Sequence, residues 1–342
     1  VLQSLIFVAA GVALLSYAAD AFVDGAARLA VRFDISPVIV GAVIVGFGTS
    51  APEMLVSGLA AGRGDLDLGV GNVIGSNVAN ITLVLGVAAL VTTIGIGRLT
   101  LRRELPLSVG SVALFAILVQ GGLNRIEGFI LLAVMIAALL FLARASDTEQ
   151  DELDDELDSE YGDPSEVQVG TEWLRTLTGL FGTVLGAWLL VEGALDLAER
   201  WGLTGGFIGL TMVAIGTSLP ELVTAVAAAR MGHTEMLVGN LLGSNIFNSL
   251  AVGAIIALVG PGPVLDGNLT GLATIIMIGA VVLSGLFMLT KAAVVRWEAA
   301  VLLAAYLISM PFTISDPNEC EPDAAVECVE ADADALGVVE PS

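Results

Sequence analysis

Two short runs, GTSAPE at 48–53 and GTSLPE at 216–221, interrupt long apolar stretches with a proline and a carboxylate. They belong to a larger duplication. A shift of 168 positions places Glu53 on Glu221, Asn72 on Asn240, Ser76 on Ser244 and Asn80 on Asn248 without a gap. Between 41–80 and 209–248, 17 of 40 positions are identical, mostly at Gly, Thr, Ser, Pro, Glu and Asn rather than at common apolar residues. This is an internal repeat, and each fold open to the chain must accommodate its two copies.

The surroundings set the solvent. Hydrophobic residues make up 56% of the chain and charged ones 14%. Ten apolar runs are visible, at 2–27, 36–62, 69–93, 105–122, 126–144, 172–198, 204–230, 235–259, 269–290 and 294–312. Most approach the ~20 residues a helix needs to cross a bilayer. They are continuous rather than alternating, which argues against a membrane β-barrel. The first run carries neither a basic leader nor a small-residue cleavage site and is expected to be a span, not a signal peptide.

The fold expected is an all-α polytopic membrane protein. Its ten transmembrane helices form two inverted five-helix repeats, because an odd number of spans makes the second copy enter the membrane the other way round. The predicted divisions are a first repeat over 1–145, an acidic linker over 146–170, a second repeat over 171–313 and an acidic, disordered tail over 314–342.

The net charge of −23 is local. Eleven acids lie between Asp147 and Glu166 and nine between Asp316 and Glu340, leaving 16 acids against 13 bases elsewhere. Such blocks are solvated segments. With both termini outside, Arg28, Arg32, Arg98, Arg102, Arg103, Arg144, Arg175, Arg230, Lys291 and Arg296 fall at cytoplasmic ends, and Arg63, Arg125 and Arg200 outside. That bias predicts a multi-pass plasma-membrane protein with the linker in the cytoplasm and the tail outside. Cys320 and Cys328 both lie in the tail, where they either pair or stand as two unrelated thiols.

The motif itself carries the chemistry. Pro52 cannot donate to the carbonyl of Gly48, and its ring crowds that carbonyl. In lipid an orphan carbonyl costs several kcal/mol unless something satisfies it, and a cation can. Thr49 and Glu53 share a helix face, with the Ser50 hydroxyl beside them. One broken turn thus offers carbonyl, hydroxyl and carboxylate oxygens, and Thr217, Ser218, Pro220 and Glu221 repeat the set. In the following run Asn72, Ser76 and Asn80 recur every four residues, as do Asn240, Ser244 and Asn248, so each trio forms a polar stripe. For Asn72, Asn77, Asn240, Asn245 and the neighbouring glycines, ligand support and helix-to-helix glue are both open readings. Ser76, Asn80, Ser244 and Asn248 read as functional.

Two buried carboxylates with no basic residue in the central parts of their spans call for cations or protons. The donor set is all oxygen, which suits Ca²⁺ and Na⁺ rather than Zn²⁺ or Cu⁺. His233, the only histidine, sits at a membrane edge and reads as a surface group. No GxSxG, phosphate loop, nucleotide motif or nucleic-acid patch is present, which argues against an intramembrane hydrolase and against nucleotide-driven transport. No cofactor or enzyme activity is expected, and nothing in the repeat requires an oligomer.

The runs GTSAPE…GNVIGSNVAN and GTSLPE…GNLLGSNIFN resemble the two α-repeats of the sodium/calcium exchanger family, within the cation/Ca²⁺ antiporter superfamily. The resemblance spans the whole transmembrane region. It implies ten helices, with the first and sixth sliding against the rest. It implies ion ligands at Thr49, Ser50, Glu53, Ser76 and Asn80, and at Thr217, Ser218, Glu221, Ser244 and Asn248, with backbone carbonyls at Gly46 and Ala214. Where some members carry an acid, this chain has Asn248, which speaks against K⁺ co-transport. The acidic segments with little Lys are similar to those of haloarchaeal proteins. The function expected is exchange of Na⁺ for Ca²⁺ by alternating access, with both ions and the bilayer as partners. The alternative is an H⁺-coupled divalent-cation antiporter of the same fold; GNVIG and GNLLG lack the further acids of the proton-coupled branch, which favours Na⁺ as the coupling ion. Asp24 and Glu192, equivalent under the shift, read as interfacial or gating charges at the ends of the two mobile helices.

Overall fold

The computed structural model describes residues 2–33, 35, 39–143, 168–200 and 217–313. Ala214, Gly216, most of the linker, the tail and both cysteines lie outside the described residues. The described residues are helical almost throughout. Its elements are α1 (Leu2–Phe33), α2 (Val40–Thr49), α3 (Ala51–Gly62), α4 (Leu66–Val91), β1 (Ile94–Gly95), α5 (Arg98–Arg102), α6 (Glu104–Leu118), α7 (Arg125–Ala143), α8 (Val169–Arg200), α9 (Leu219–Met231), α10 (Thr234–Val259), α11 (Leu269–Lys291), β2 (Ala293–Val294) and α12 (Arg296–Thr313).

Each of the ten apolar runs contains helix, although within 204–230 only α9 falls among the described residues. Among the described residues, five helical stretches are long and apolar enough to cross a membrane: 66–91, 98–121, 125–142, 234–259 and 269–291. Helices α2 and α3 together make a sixth, bent by 46°. The bend falls at Ser50, whose φ/ψ of −82°/4° leaves the helical region, and Pro52 sits in the first turn of α3, where its missing N–H costs nothing. Ser218 repeats the geometry at −85°/4°, with Pro220 in the first turn of α9.

The ends of the helices also repeat. Gly64 and Gly232, 168 positions apart, take φ of 85° and 88° just after α3 and α9, a left-handed stop that glycine adopts without steric cost. At the start of α7 the carboxylate of Glu127 accepts from the Asn124 N–H at 2.7 Å. At the start of α12 Glu298 accepts from the Val295 N–H at 2.9 Å. Both are the reach-back half of a capping box.

Helices α1 and α8 pack antiparallel along most of their length. Gly25 lies against Glu172 and Thr176, and Gly193 against Ser4 and Val8. At one end Asp24 is paired with both Arg28 and Arg175. At the other Ser4 donates to Asp196. Asp24 is therefore interfacial, as the sequence suggested, whereas Glu192 is exposed.

Two pairs of connections meet through backbone bonds. Strand β1 pairs antiparallel with β2, with Ile94 opposite Val294. Leu123 and Gly262 form an isolated antiparallel bridge, exchanging N–H···O bonds of 2.9 and 2.8 Å. Ile94 and Gly262 are 168 positions apart, and Leu123 and Val294 are 171 apart.

Candidate ion site

The site is built by crossing the halves. Helix α2, which carries GTSAPE into α3, packs against α10, which carries GNLLGSN. Helix α9, which carries the second glutamate, packs against α4 over Asn80–Val91, just beyond GNVIGSN. Glycines make the approach possible: a Cβ on Gly46 would lie 3.2 Å from the Ser244 nitrogen.

Two long helices lose their regular bond pattern at the site. The segments Asn80–Val84 in α4 and Phe247–Val252 in α10 are π-helical, so a wide turn begins at Asn80 in one half and just before Asn248 in the other. A third wide turn, Val40–Val45, leads into Gly46. Such turns recur at functional sites because they release backbone groups from the i to i−4 ladder.

The predicted ligands converge in a dry interior. Thr49, Ser50, Glu53, Ser76, Asn80, Thr217, Ser218, Glu221, Ser244 and Asn248 are all buried. The two carboxylates are 1% and 0% exposed, which takes bulk water out of the account of their charge. Among the described residues no ion pair involves either. Ser50 Oγ lies 3.4 Å from Glu221 Oε1, with the hydroxyl donating, and the Thr49 and Thr217 hydroxyls also lie beside the carboxylates of Glu221 and Glu53. Among the described residues, both oxygens of Glu53, Oε2 of Glu221, the hydroxyls of Ser76, Ser218 and Ser244, Oδ1 of Asn80 and both polar atoms of Asn248 find no well-formed hydrogen bond. Buried polar atoms without partners are rare in folded proteins, and leaving them so is expensive. Here they are concentrated on the residues that the two motifs single out. The donor set is hard oxygen from both halves, which fits a cation of the Na⁺ or Ca²⁺ kind as cargo. The Gly46 carbonyl accepts from the Ser50 N–H at 3.1 Å and keeps a second lone pair. Ala214 lies outside the described residues.

Three residues that the sequence left open, Asn72, Asn240 and Asn245, are tied to this set. Thr49 Oγ1 lies 3.3 Å from Oδ1 of Asn240, and Thr217 Oγ1 lies 3.3 Å from Oδ1 of Asn72. Asn72 donates through Nδ2 to Ser57, and Asn240 to Thr224. The stripe had placed both asparagines on the correct face without assigning them a partner. Asn80 donates to Asn245 Oδ1 at 3.2 Å, which leaves the Asn80 oxygen to the site. Asn77 donates instead to Ser249. His233 is half-buried between α9 and α10, and burial pushes its pKa down while the charge of Asp24 pulls it back up.

A bundle of apolar helices enclosing an unpaired set of acidic and neutral oxygens is the interior of a membrane transporter for cations. The sequence matches the model of the "Sodium/calcium exchanger protein" family over residues 3–144 and 171–315. The inner membrane protein YrbG of Escherichia coli K12 is 39% identical over 259 residues, covering 74% of this chain and 79% of that one. The sodium/calcium exchanger MaX1 of Methanosarcina acetivorans is 28% identical over 331 residues, covering 87% and 94%. Among solved structures, the sodium-calcium exchanger NCX_Mj superposes with a TM-score of 0.79 at 30% identity, covering 91% of this chain and 98% of that one. The chain belongs to the sodium/calcium exchanger family of membrane transporters.

Proposed function

We propose that this protein is a secondary antiporter that exchanges Na⁺ for Ca²⁺ by alternating access. The site lies at the bilayer midplane. Its ligands are Glu53, Glu221, Thr49, Thr217, Ser50, Ser218, Ser76, Ser244, Asn80 and Asn248, with backbone carbonyls of Gly46 and Ala214. The observation that carries this reading is the collection of buried oxygens on both motifs that, among the described residues, lack partners, with two carboxylates and no paired base. Two carboxylates neutralise one Ca²⁺, and the same pair serves Na⁺ ions whose shells the neutral oxygens complete. An empty site holds two like charges in a medium where each is costly, and a filled one does not. Competition for that charge pair couples the two ions.

The same reading assigns ten spans as two inverted five-helix repeats, over 1–145 and 171–313, joined by the cytoplasmic linker 146–170 and followed by the tail 314–342 outside. The pairing of Ile94 with Val294 and of Leu123 with Gly262 supports it. These two contacts correspond under the repeat, with a three-residue offset at Val294, and, on this topology, fall on opposite faces of the membrane. Helices α1 and α8, clasped to each other, are the pair that slides.

The test is Ca²⁺ uptake by the purified protein in liposomes under an outward Na⁺ gradient, with and without K⁺ and a pH gradient. Uptake that follows the Na⁺ gradient and ignores K⁺ is expected. Uptake driven by a pH gradient in Na⁺-free buffer would replace Na⁺ coupling with H⁺ coupling. Flux independent of any counter-ion would make the protein a channel.

A further inference from the structure

We infer that Asn72 and Asn240 are positioning residues: each holds a threonine hydroxyl of the opposite half with its oxygen turned to the transported cation. The inference rests on the site reading above, in which Thr49 and Thr217 are ligands.

A hydroxyl has one proton and two lone pairs. To serve a cation it must give its proton away from the ion. If no outward acceptor exists, the proton turns to the nearest carboxylate and the O–H bond faces the cation. An amide Oδ1 carries no proton, so in the Thr49–Asn240 and Thr217–Asn72 contacts the threonine is the donor. The Glu221 and Glu53 carboxylates lie within reach of the same Thr49 and Thr217 protons on the ion side, and the asparagine competes with them to draw the proton outward. The backbone carbonyls of Val45, 3.0 Å from Thr49 Oγ1, and of Gly46, at 3.5 Å, are further acceptors for the same proton, and Asn240 acts together with that of Val45.

The asparagine must itself be kept from flipping, since a rotated amide would offer N–H to the threonine. Its donor end is tethered. Asn72 Nδ2 donates to Ser57 Oγ at 3.0 Å, and Asn240 Nδ2 to Thr224 Oγ1 at 3.4 Å. Ser57 lies one turn beyond Glu53, and Thr224 three residues beyond Glu221, both buried. Each half thus holds its own asparagine against the helix bearing its own glutamate, and that asparagine faces the other half's threonine.

The tethers are not repeat equivalents. Under the 168 shift Ser57 falls on Ala225, and Thr224 falls on Val56. The hydroxyl has moved by one position between the halves, yet the amide finds it in both. Packing glue requires only small or apolar neighbours there. A hydroxyl kept at a displaced position in each copy points to a requirement for the amide's orientation.

The experiment is equilibrium ⁴⁵Ca²⁺ binding to the purified full chain, with thermal unfolding in ion-free buffer as a second readout. Asn240→Leu, Thr49→Val and the double variant form one cycle; Asn72→Leu, Thr217→Val and their double form the other. Loss of one buried hydrogen-bonding partner corresponds to about a tenfold weaker Kd for each single variant. The double variant is expected to be no weaker than Thr49→Val alone, because the asparagine acts through the hydroxyl. Effects that multiply, or an Asn240→Leu protein that binds normally while Thr49→Val is weakened, would overturn the positioning role and leave the site reading intact. Normal binding by Thr49→Val and Thr217→Val would remove the threonines from the site and the inference with them. A fall in ion-free melting temperature with unchanged Kd would assign the asparagines to packing alone.

Discussion

The hydroxyl of Ser50 sits 3.4 Å from a carboxylate oxygen of Glu221, so the first copy of the motif touches the acid of the second. Neither copy makes a complete site. Bending the chain at Ser50 and at Ser218 puts the two acids on the first turns of α3 and α9, where the exposed N–H groups favour negative charge. That partial support holds the carboxylates in place without neutralising them, and leaves the remainder of their charge to the cargo.

Glu53→Gln and Glu221→Gln therefore have opposite effects on transport and on stability. Removing one charged ligand is expected to weaken Ca²⁺ binding by about 3 kcal/mol, roughly a hundredfold. Removing an uncompensated buried charge is expected to hold or raise the melting temperature in ion-free buffer. Saturating Ca²⁺ should then raise the melting temperature of the wild type far more than that of either variant, since a ligand at 100 Kd stabilises by about 2.7 kcal/mol. Wild-type flux in either variant would remove the carboxylate from the site.

The contact between α1 and α8 gives a prediction of sign. A Cβ on Gly179 would lie 2.5 Å from the backbone nitrogen of Phe22, and backbone cannot move aside. On the same helix Gly170 has nothing within 4 Å and is exposed. Gly179→Ala is expected to destabilise by about 1–3 kcal/mol through overpacking. Gly170→Ala is expected to be neutral or to stabilise by up to about 1 kcal/mol through helix propensity. Thermal unfolding in detergent reads both, and equal shifts of the same sign would refute close packing at Gly179.

His233 sets a pH dependence. Burial lowers its pKa below the ordinary value, so the unfolded chain takes up the proton first as pH falls. The stability that the neutral imidazole contributes is present above about pH 6.5 and is lost as pH drops through the folded-state value. His233→Gln should flatten the stability curve below that pH and leave it unchanged at pH 8. Asp24→Asn, which removes the charge holding the imidazole's pKa up, should steepen the loss. Unfolding temperatures measured from pH 8 to pH 5 decide it. A wild-type curve that the glutamine variant reproduces would rule out a contribution from His233.

Much of this was legible in the chain because the repeat is gapless through its most polar region. A single shift foretold that Ser50 and Ser218 and the two asparagine stripes would take matching roles, and the matching turns at Gly64 and Gly232 follow the same shift. The helix ends were less legible. The charges at Asp24, Arg28 and Arg32 read as a membrane edge, yet α1 continues to Phe33 because Asp24 is answered by Arg28 and Arg175. The wide turns at Asn80 and Phe247 have no local signature, since NITLV and FNSLAV would propagate an ordinary α-helix. The tethers of Asn72 and Asn240 were hidden by the shift itself, which aligns Ser57 with Ala225 rather than with Thr224.

The inverted arrangement is testable from the two backbone bridges. On the proposed topology β1 and β2 lie on the cytoplasmic face, and the Leu123–Gly262 bridge lies outside. Gly95 beside the first bridge and Leu265 beside the second are both exposed. Single cysteines at these positions, in a chain carrying Cys320→Ser and Cys328→Ser, should meet a membrane-impermeant thiol reagent from opposite sides. In right-side-out vesicles Leu265→Cys should label and Gly95→Cys should not; in inverted vesicles the pattern should reverse. The bridges make the expectation strict, because each ties a connection of the first half to one of the second. If both positions label from one side, the two bridges share a face, and an odd number of spans per half becomes impossible.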